Sequence, residues 1–486
     1  MATRVLLGVD IGTSSATGAA FDRSGRCLAT AEIAYRHSVP RPGWAEADAE
    51  EWWRATREIL RRLVDVTGRG AVDAVGVTGQ APTLVAVDAD GRPVRPAILW
   101  LDVRSEEEAQ EAAARLGEDA ERIGGNRLHA YYLGPKLAWL RRHEPDRYAA
   151  AATVLQSHSF SLLRLTGARM TDYSSAALCA PLYDARARAW SPEMSARLGV
   201  ERRLLPDLGP AHAVAGRVTE EAARETGLVE GTPVVVGGAD FAASTLAAGV
   251  TEPGEACLML GTAGNLIMPF TEGPFDTRLI NAHHVGCDRH LALGATLAGA
   301  VQQWFRDAMA PGVAFEALDR EAAAIPAGAE GVRCLPYLQG ERTPVWDAGA
   351  RGAYVGLSLA HGRGHLYRAV LEGIAVSFRH FLEVARESGL ELREVIAVNG
   401  GARSALWRQI LCDALGVPLS YLPESPGAPA GAAILAGIGA GVLPGVETAK
   451  AWRGATVGHV PEAAATAVYA GLLAERIKLY PALRAI

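Results

Sequence analysis

The chain has no cysteine pair, no basic surplus and no long apolar run free of helix breakers, and each absence removes a class of protein. Its six cysteines (Cys27, Cys179, Cys257, Cys287, Cys334 and Cys412) stand singly, so neither a zinc site nor a disulfide framework is indicated. Scattered thiols of this kind belong to a reducing compartment and point to the cytoplasm. A formal net charge of -6 over 486 residues offers no basic footprint for a nucleic acid. The stretch from Ser425 to Val446 is uncharged and largely apolar, but Pro426, Pro429, Pro444 and several glycines interrupt it. It reads as a buried helix of a globular domain rather than a membrane span. The segment Arg4 to Asp10 lacks the leader, apolar core and cleavage site of a signal peptide and reads as a first strand. Two common nucleotide motifs are also missing. There is no GxxxxGK[ST], and the glycines after the first strand do not make GxGxxG.

What is present is an alternation of strand-like and helix-like runs from end to end, the pattern of an α/β protein with room for two or three domains. Val5 to Asp10 is apolar and β-rich, a Gly/Thr/Ser turn follows, and Ala16 to Phe21 and Cys27 to Tyr35 continue as strands. Asp48 to Thr67 reads as a helix, with Asp48 placed to cap it, Glu51 three residues on, and Trp52, Ile59, Leu60 and Leu63 on its apolar face. Val72 to Val77, Leu84 to Val87 and Ala97 to Trp100 return to strand pattern. The plan restarts about 250 residues later. Val234-Val235-Val236 leads through Gly237-Gly238-Ala239 to Asp240, and a helix is expected from Phe241 to Ala248. Ala256 to Leu260 then runs into a second polar glycine loop, Gly261-Thr262-Ala263-Gly264. The repeat predicts two lobes, 1–250 and 251–486, divided at the polar turn Thr251-Glu252-Pro253-Gly254.

A glycine-rich loop between strands suits phosphate, because small side chains let backbone N–H groups converge on its oxygens. Gly12, Thr13 and Ser14 form such a loop, and Gly261 and Thr262 form its counterpart. Asp10, just ahead of the first loop, would repel phosphate unless a divalent cation lay between them, which implies Mg2+. Asp240 follows a strand and a glycine pair, where a carboxylate can accept the proton of an attacking alcohol. It stands equally well as the N-cap of the following helix, and position alone does not separate the two roles. His283 and His284 are adjacent, so on a strand they face opposite sides and a structural role is expected. Trp304 and Trp407 are expected in the core.

Several segments together resemble the FGGY family of carbohydrate kinases over essentially the whole chain, in pattern closest to its xylulokinase members. They are Val9 to Ser14, Arg41 to Asp48 with Trp52-Trp53, Arg95 to Asp102, Gly261-Thr262, Gly340 to Pro344, and Asn399 to Ser404. The most specific is Gly352 to Leu357 followed, seven residues on, by His365 to Glu372. A second family pattern fits around Lys136 to Leu140 except at Leu133. The resemblance implies a two-lobed actin/hexokinase-like (ribonuclease H-like) fold with a duplicated core and an inter-lobe cleft. It implies ATP and Mg2+, with Asp240 as general base and Asp10 holding the metal through water. Gly12, Thr13, Ser14, Gly261 and Thr262 would lie against the phosphates, and Gly400, Gly401 and Ser404 near the adenosine. Gln80, Ala81, Pro82, Trp100 and Asp102 would line the sugar, beside Asp240.

Three departures bear on the acceptor. Gln80-Ala81-Pro82-Thr83 stands where xylulokinases carry Gln-Met-His-Gly, Phe241 follows the expected base in place of Asn, and Ser157-His158-Ser159-Phe160 replaces a Lys-Asp-Tyr segment. Losing polar partners for hydroxyls shifts specificity steeply. The expected reaction is therefore ATP-dependent phosphorylation of a primary hydroxyl of a ketose, xylulose or a related pentulose, with another ketose, a polyol or a sugar acid as the alternative. A non-catalytic ATP-binding protein of the same superfamily is the other class, disfavoured because the helical run Tyr469 to Tyr480 completes the second lobe with no added substrate-binding domain. The expected partner is a small-molecule sugar, with neither nucleic acid nor membrane. Oligomeric state is open, a homodimer being one compatible form.

Overall fold

The computed structural model describes residues 3–484 apart from 272, 274 and 426, so Pro426 of the uncharged stretch lies outside the described residues. The chain forms two compact units. The first comprises Met1–Thr251, Asn281–His290 and Pro426–Arg453; the second comprises Glu252–Ile280, Leu291–Ser425 and Gly454–Ile486.

The first unit is organised on one mixed sheet. Its strands are β1 (Val5–Ile11), β2 (Ser15–Asp22), β3 (Cys27–Ala34), β4 (Val72–Gly79), β5 (Val214–Arg217), β6 (Pro233–Val235) and β7 (Gly238–Ala239). They lie in the order β5-β6-β4-β1-β2-β3, with β7 also paired to β4. β1, β2 and β3 form an antiparallel meander, β4 runs parallel to both β1 and β6, and β5 is antiparallel to β6. The expected strand at Ala97 to Trp100 shortens to Ala97–Ile98.

Helix α1 (Ala49–Thr67) covers one face of this sheet with Trp52, Trp53, Ile59, Leu60 and Leu63 buried. Asp48 caps it by accepting the Glu50 N–H, as its position predicts. Glu51 does not reach back to complete a capping box; it pairs with Arg54 instead.

The other face carries the Ala428–Gly439 helix, buried from Ala428 to Gly437. Its close approach explains two glycines that lie side by side in register, Gly8 on β1 and Gly76 on β4. A Cβ at Gly8 would come 1.8 Å from the Pro429 carbonyl oxygen, and one at Gly76 2.1 Å from that of Ala432. The same helix lies on α2 (Asp240–Ala247), where a Cβ at Gly431 would meet the Ala243 carbonyl oxygen at 2.1 Å. The Ala428–Gly439 part of the uncharged stretch is thus a core helix built from small residues so that backbones can touch. Among the described residues no helix is long and apolar enough to cross a membrane.

The second unit repeats the plan. Its strands β8 (Glu255–Leu260), β9 (Ala263–Phe270), β10 (His290–Leu297), β11 (Glu394–Val398), β12 (Leu419–Tyr421) and β13 (Val457–His459) lie in the order β10-β9-β8-β11-β12-β13. β8 is antiparallel to β9 and parallel to β11; β11 is parallel to β12, and β13 is antiparallel to it. In order, and in the directions of β8, β9, β11, β12 and β13, these six strands follow the first sheet, so the duplication seen as two Gly-Thr loops extends to the core strands. Trp407 is fully buried in it. Trp304, expected in the core, is instead 38% exposed, because the face of its helix that packs inward is that of Val301 and Phe305.

Candidate functional site

The functional side chains of the first unit gather where its parallel strands end. Asp10 lies at the end of β1, directly across from Thr78 on β4, and Thr78 pairs on its other side with Gly238 of β7. Asp240 follows β7 at once as the first residue of α2. Carboxyl ends of adjacent parallel strands are where open α/β sheets place their ligands.

The backbone ahead of Asp240 is firmly set. Gly237 has φ +75°, and a Cβ there would lie 1.8 Å from the Val77 carbonyl oxygen. The Ala239 N–H donates to Ser174 Oγ at 3.1 Å, and the Ser174 hydroxyl donates to the buried carboxylate of Asp172. His158, in the segment that departs from the family pattern, lies 3.7 Å from Asp172; burial pushes it down to about 4, so it is neutral.

Asp240 is not the N-cap of α2, which is Ala239 with no side-chain cap. Its Oδ1 accepts the adjacent Phe241 N–H at 2.6 Å, and Oδ2 takes no hydrogen bond among the described residues. Asp10 accepts one hydroxyl, from Thr78 at 3.1 Å. Burial and the neighbouring Asp240 both push Asp10 above the ordinary carboxylate range, and burial pushes Asp240 up as well. Two partly buried acids, each with an unused oxygen, form a hard oxygen donor set that suits Mg2+. No group of three or more His, Cys, Asp or Glu that could hold a metal occurs among the described residues.

The Gly12–Ser14 loop closes the β1–β2 hairpin, with the Gly12 N–H donating to the Ser15 carbonyl at 2.9 Å. The amides of Thr13 and Ser14 have no protein acceptor among the described residues. The Thr13 hydroxyl donates to Gln80 Oε1 and accepts the Trp100 indole N–H, each at 3.1 Å. Gln80 Nε2 and the Tyr35 hydroxyl both donate to the Gly12 carbonyl, at 3.1 and 2.7 Å.

The sugar-side residues divide. Trp100 is partly exposed and meets Tyr131 edge to face at 6.5 Å, and the Tyr131 hydroxyl donates to the Ala81 carbonyl at 3.3 Å. Ala81, Pro82 and Phe241 are buried. Asp102 is placed differently from the rest. It is fully buried, chelated by Arg104 at 2.7 to 3.0 Å, and takes the Ala45 and Arg104 backbone N–H groups. Arg104 in turn lies 3.6 Å from the Trp44 ring and 4.9 Å from that of Trp139 and binds Glu46. The Trp44/Glu46 segment and Asp102 are therefore one ion-pair cluster in which both oxygens of Asp102 are hydrogen-bonded.

In the second unit the Gly261 N–H donates to the Ala263 carbonyl at 3.0 Å, and the Gly261 and Thr262 carbonyls accept N–H groups from Ala298, Gly299 and Ala300. Thr262 itself is exposed. Gly400 and Gly401 form a 3-10 turn at the end of β11 after Asn399, whose φ is +73°. A Cβ at Gly401 would strike Trp407 and Leu260, whereas Gly400 faces open space. Ser404 caps the Ala405–Leu415 helix by accepting the Trp407 N–H at 3.1 Å.

His283 and His284 bind protein groups, Tyr183 and the Val250 carbonyl, at 3.1 Å each. Sequence reasoning missed Thr78, Tyr35 and Tyr131. The first had a readable signal, since a polar residue closing an apolar strand run of Val72 to Val77 faces the neighbouring strand end.

Two sheets of one topology, each with a Gly-Thr loop at its central hairpin, define a sugar kinase of the actin- and hexokinase-like fold. The chain belongs to the FGGY family of carbohydrate kinases: the family's N-terminal domain matches residues 5–247 and its C-terminal domain residues 203–440. It is 35% identical over 441 residues to the xylulose kinase of Escherichia coli (strain K12), covering 89% of this chain and 90% of that one. It is 32% identical over 450 residues to the xylulose kinase of Bacillus subtilis (strain 168), covering 91% and 90%. The crystal structure of xylulose kinase from Rhodospirillum rubrum is 35% identical and superposes with a TM-score of 0.92 over 99% of both chains.

Proposed function

We propose that this carbohydrate kinase transfers the γ-phosphoryl group of ATP to a primary hydroxyl of xylulose or a related pentulose, with Asp240 as the base. The observation that carries the assignment is the Asp240 carboxylate, raised by burial, with one oxygen unpartnered at the end of the parallel strands. The cap position of the following helix falls to Ala239, which supports the base over a capping role for Asp240. Xylulose is favoured because the relatives that share about a third of their residues with this chain are xylulose kinases.

Phosphoryl transfer has a loose transition state, so the protein contributes alignment and charge rather than covalent chemistry. Asp240 Oδ2 accepts the hydroxyl proton as the sugar oxygen attacks phosphorus. The free amides of Thr13 and Ser14 offer donors to phosphate oxygens, as does the Gly261–Thr262 loop from its own unit. Gly400 gives the adenosine an approach free of side chains. Asp10 would hold Mg2+, which when bound supplies positive charge to the phosphates and offsets the repulsion between the two acids.

Trp100 and Tyr131 would flank the sugar. Ala81, Pro82 and Phe241 present it with apolar surface where related enzymes have polar groups, so the set of accepted sugars is expected to differ from theirs. Six free thiols fit a cytoplasmic location. Sugar-dependent ADP release across a panel of ketoses, polyols and sugar acids tests the assignment; a higher kcat/KM for a polyol or sugar acid than for D-xylulose would overturn the acceptor.

A further inference from the structure

We propose that Gln80 is a positioning residue of the Gly12–Ser14 loop rather than a sugar ligand, and that Trp100 holds the same loop from the sugar side. The inference rests on the reading above, in which that loop faces the ATP phosphates and Trp100 faces the sugar.

The proton positions follow from chemistry alone. The Gly12 carbonyl only accepts, so the Gln80 atom 3.1 Å away must be the amide nitrogen. That orients Gln80 Oε1 toward Thr13, and because Oε1 only accepts, the single Thr13 hydroxyl proton points to it at 3.1 Å. The indole nitrogen of Trp100 only donates, and it uses a lone pair of the same Thr13 oxygen at 3.1 Å. Both polar atoms of the Gln80 amide are thereby spent on the loop, and its side chain is buried, the residue being 2% exposed. Its backbone is fixed as well, with its N–H on the Ile11 carbonyl and its carbonyl taking the Ser157 hydroxyl at 2.9 Å. A side chain bonded to the loop through both of its polar atoms and buried from solvent sets where Thr13 and Gly12 stand.

The consequence is a link between the two substrates. Trp100 touches the sugar pocket with its ring and the phosphate loop with its N–H, through one oxygen atom of Thr13. Replacing Gln80 is therefore expected to be felt by the nucleotide, although its neighbours Ala81 and Pro82 lie on the sugar side.

The test compares Gln80→Leu, Trp100→Phe, Thr13→Val and the Gln80→Leu/Thr13→Val pair. The readouts are KM for ATP, KM for D-xylulose, and ADP affinity by calorimetry. Loss of one such hydrogen bond is expected to raise the ATP KM and the ADP Kd by about two- to ten-fold. In Gln80→Leu the xylulose KM stays within about two-fold of wild type, and in the Thr13→Val background Gln80→Leu has a smaller effect than in wild type, since only its bond to the Gly12 carbonyl remains to be lost. A rise confined to the xylulose KM, or additive effects of Gln80→Leu and Thr13→Val, would overturn the proposal. If Gln80→Leu does not fold, Trp100→Phe decides by the same nucleotide readouts, an unchanged ATP KM and ADP Kd overturning it. Failure of the underlying reading shows separately, as undiminished turnover in Asp240→Asn.

Discussion

Thr78 donates its hydroxyl to Asp10 at 3.1 Å from the neighbouring parallel strand, the one hydrogen bond that the Asp10 side chain accepts among the described residues. The bond favours the ionised acid against burial and the charge of Asp240, both of which oppose it. Thr78→Val removes that support and pushes Asp10 further up. Half-saturating Mg2+ is expected to rise about two- to ten-fold at neutral pH. The defect should shrink as pH rises and Asp10 ionises in both proteins. Activity titrated against Mg2+ at several pH values checks this.

The buried acids should cost stability. Asp10 has a folded-state value above the unfolded one of about 3.9. Below that unfolded value both states are protonated and no penalty exists; as pH rises from the unfolded value toward the folded one, the unfolded chain has given up its proton while the folded state keeps it, so stability falls across that window and the full penalty remains above it. Asp10→Asn should therefore melt above wild type at pH 7 to 8 without ligands, with the difference vanishing near pH 4, while its Mg2+-dependent activity is lost. Thermal melts across pH read the sign directly.

Asp102 separates a structural role from a sugar-binding one. Its carboxylate and the Arg104 guanidinium are both fully buried, so removing one partner strands a charge. Asp102→Ala is expected to destabilise by about 3–5 kcal/mol in urea unfolding. A stable variant with only a raised sugar KM would return Asp102 to the sugar pocket.

Much of this arrangement was legible in the chain, and what was not has physical reasons. The β1–loop–β2 hairpin, the Asp48 cap and the buried Ala428–Gly439 helix are local patterns of period, turn and cap. The partners of Asp102 were not legible, because its neighbours on the Trp44 segment and Arg104 are fixed by tertiary contact, which no spacing reveals. Gln80 likewise reads as a pocket residue until its partner 67 positions earlier, Thr13, is seen. The return of 281–290 and 426–453 to the first unit is a property of topology, not of composition. Trp304 shows the limit of helical spacing, which finds an apolar stripe but not its edge.

Gly76→Ala tests how the Ala428–Gly439 helix supports α2. An added methyl would sit 2.1 Å from the Ala432 carbonyl oxygen, so helix and sheet must part. The expected loss is about 1–3 kcal/mol in urea unfolding, with kcat falling because α2 carries Asp240. Unchanged stability would mean the helix does not rest on the sheet as described.

The most direct test is sugar-dependent ADP release by Asp240→Asn, with ATP affinity measured on the same preparation. Asparagine keeps the shape and the hydrogen bond from Phe241 but does not accept the hydroxyl proton. Turnover with D-xylulose is expected to fall at least about 100-fold while ATP binds as in wild type. Turnover near the wild-type rate would contradict Asp240 as the base.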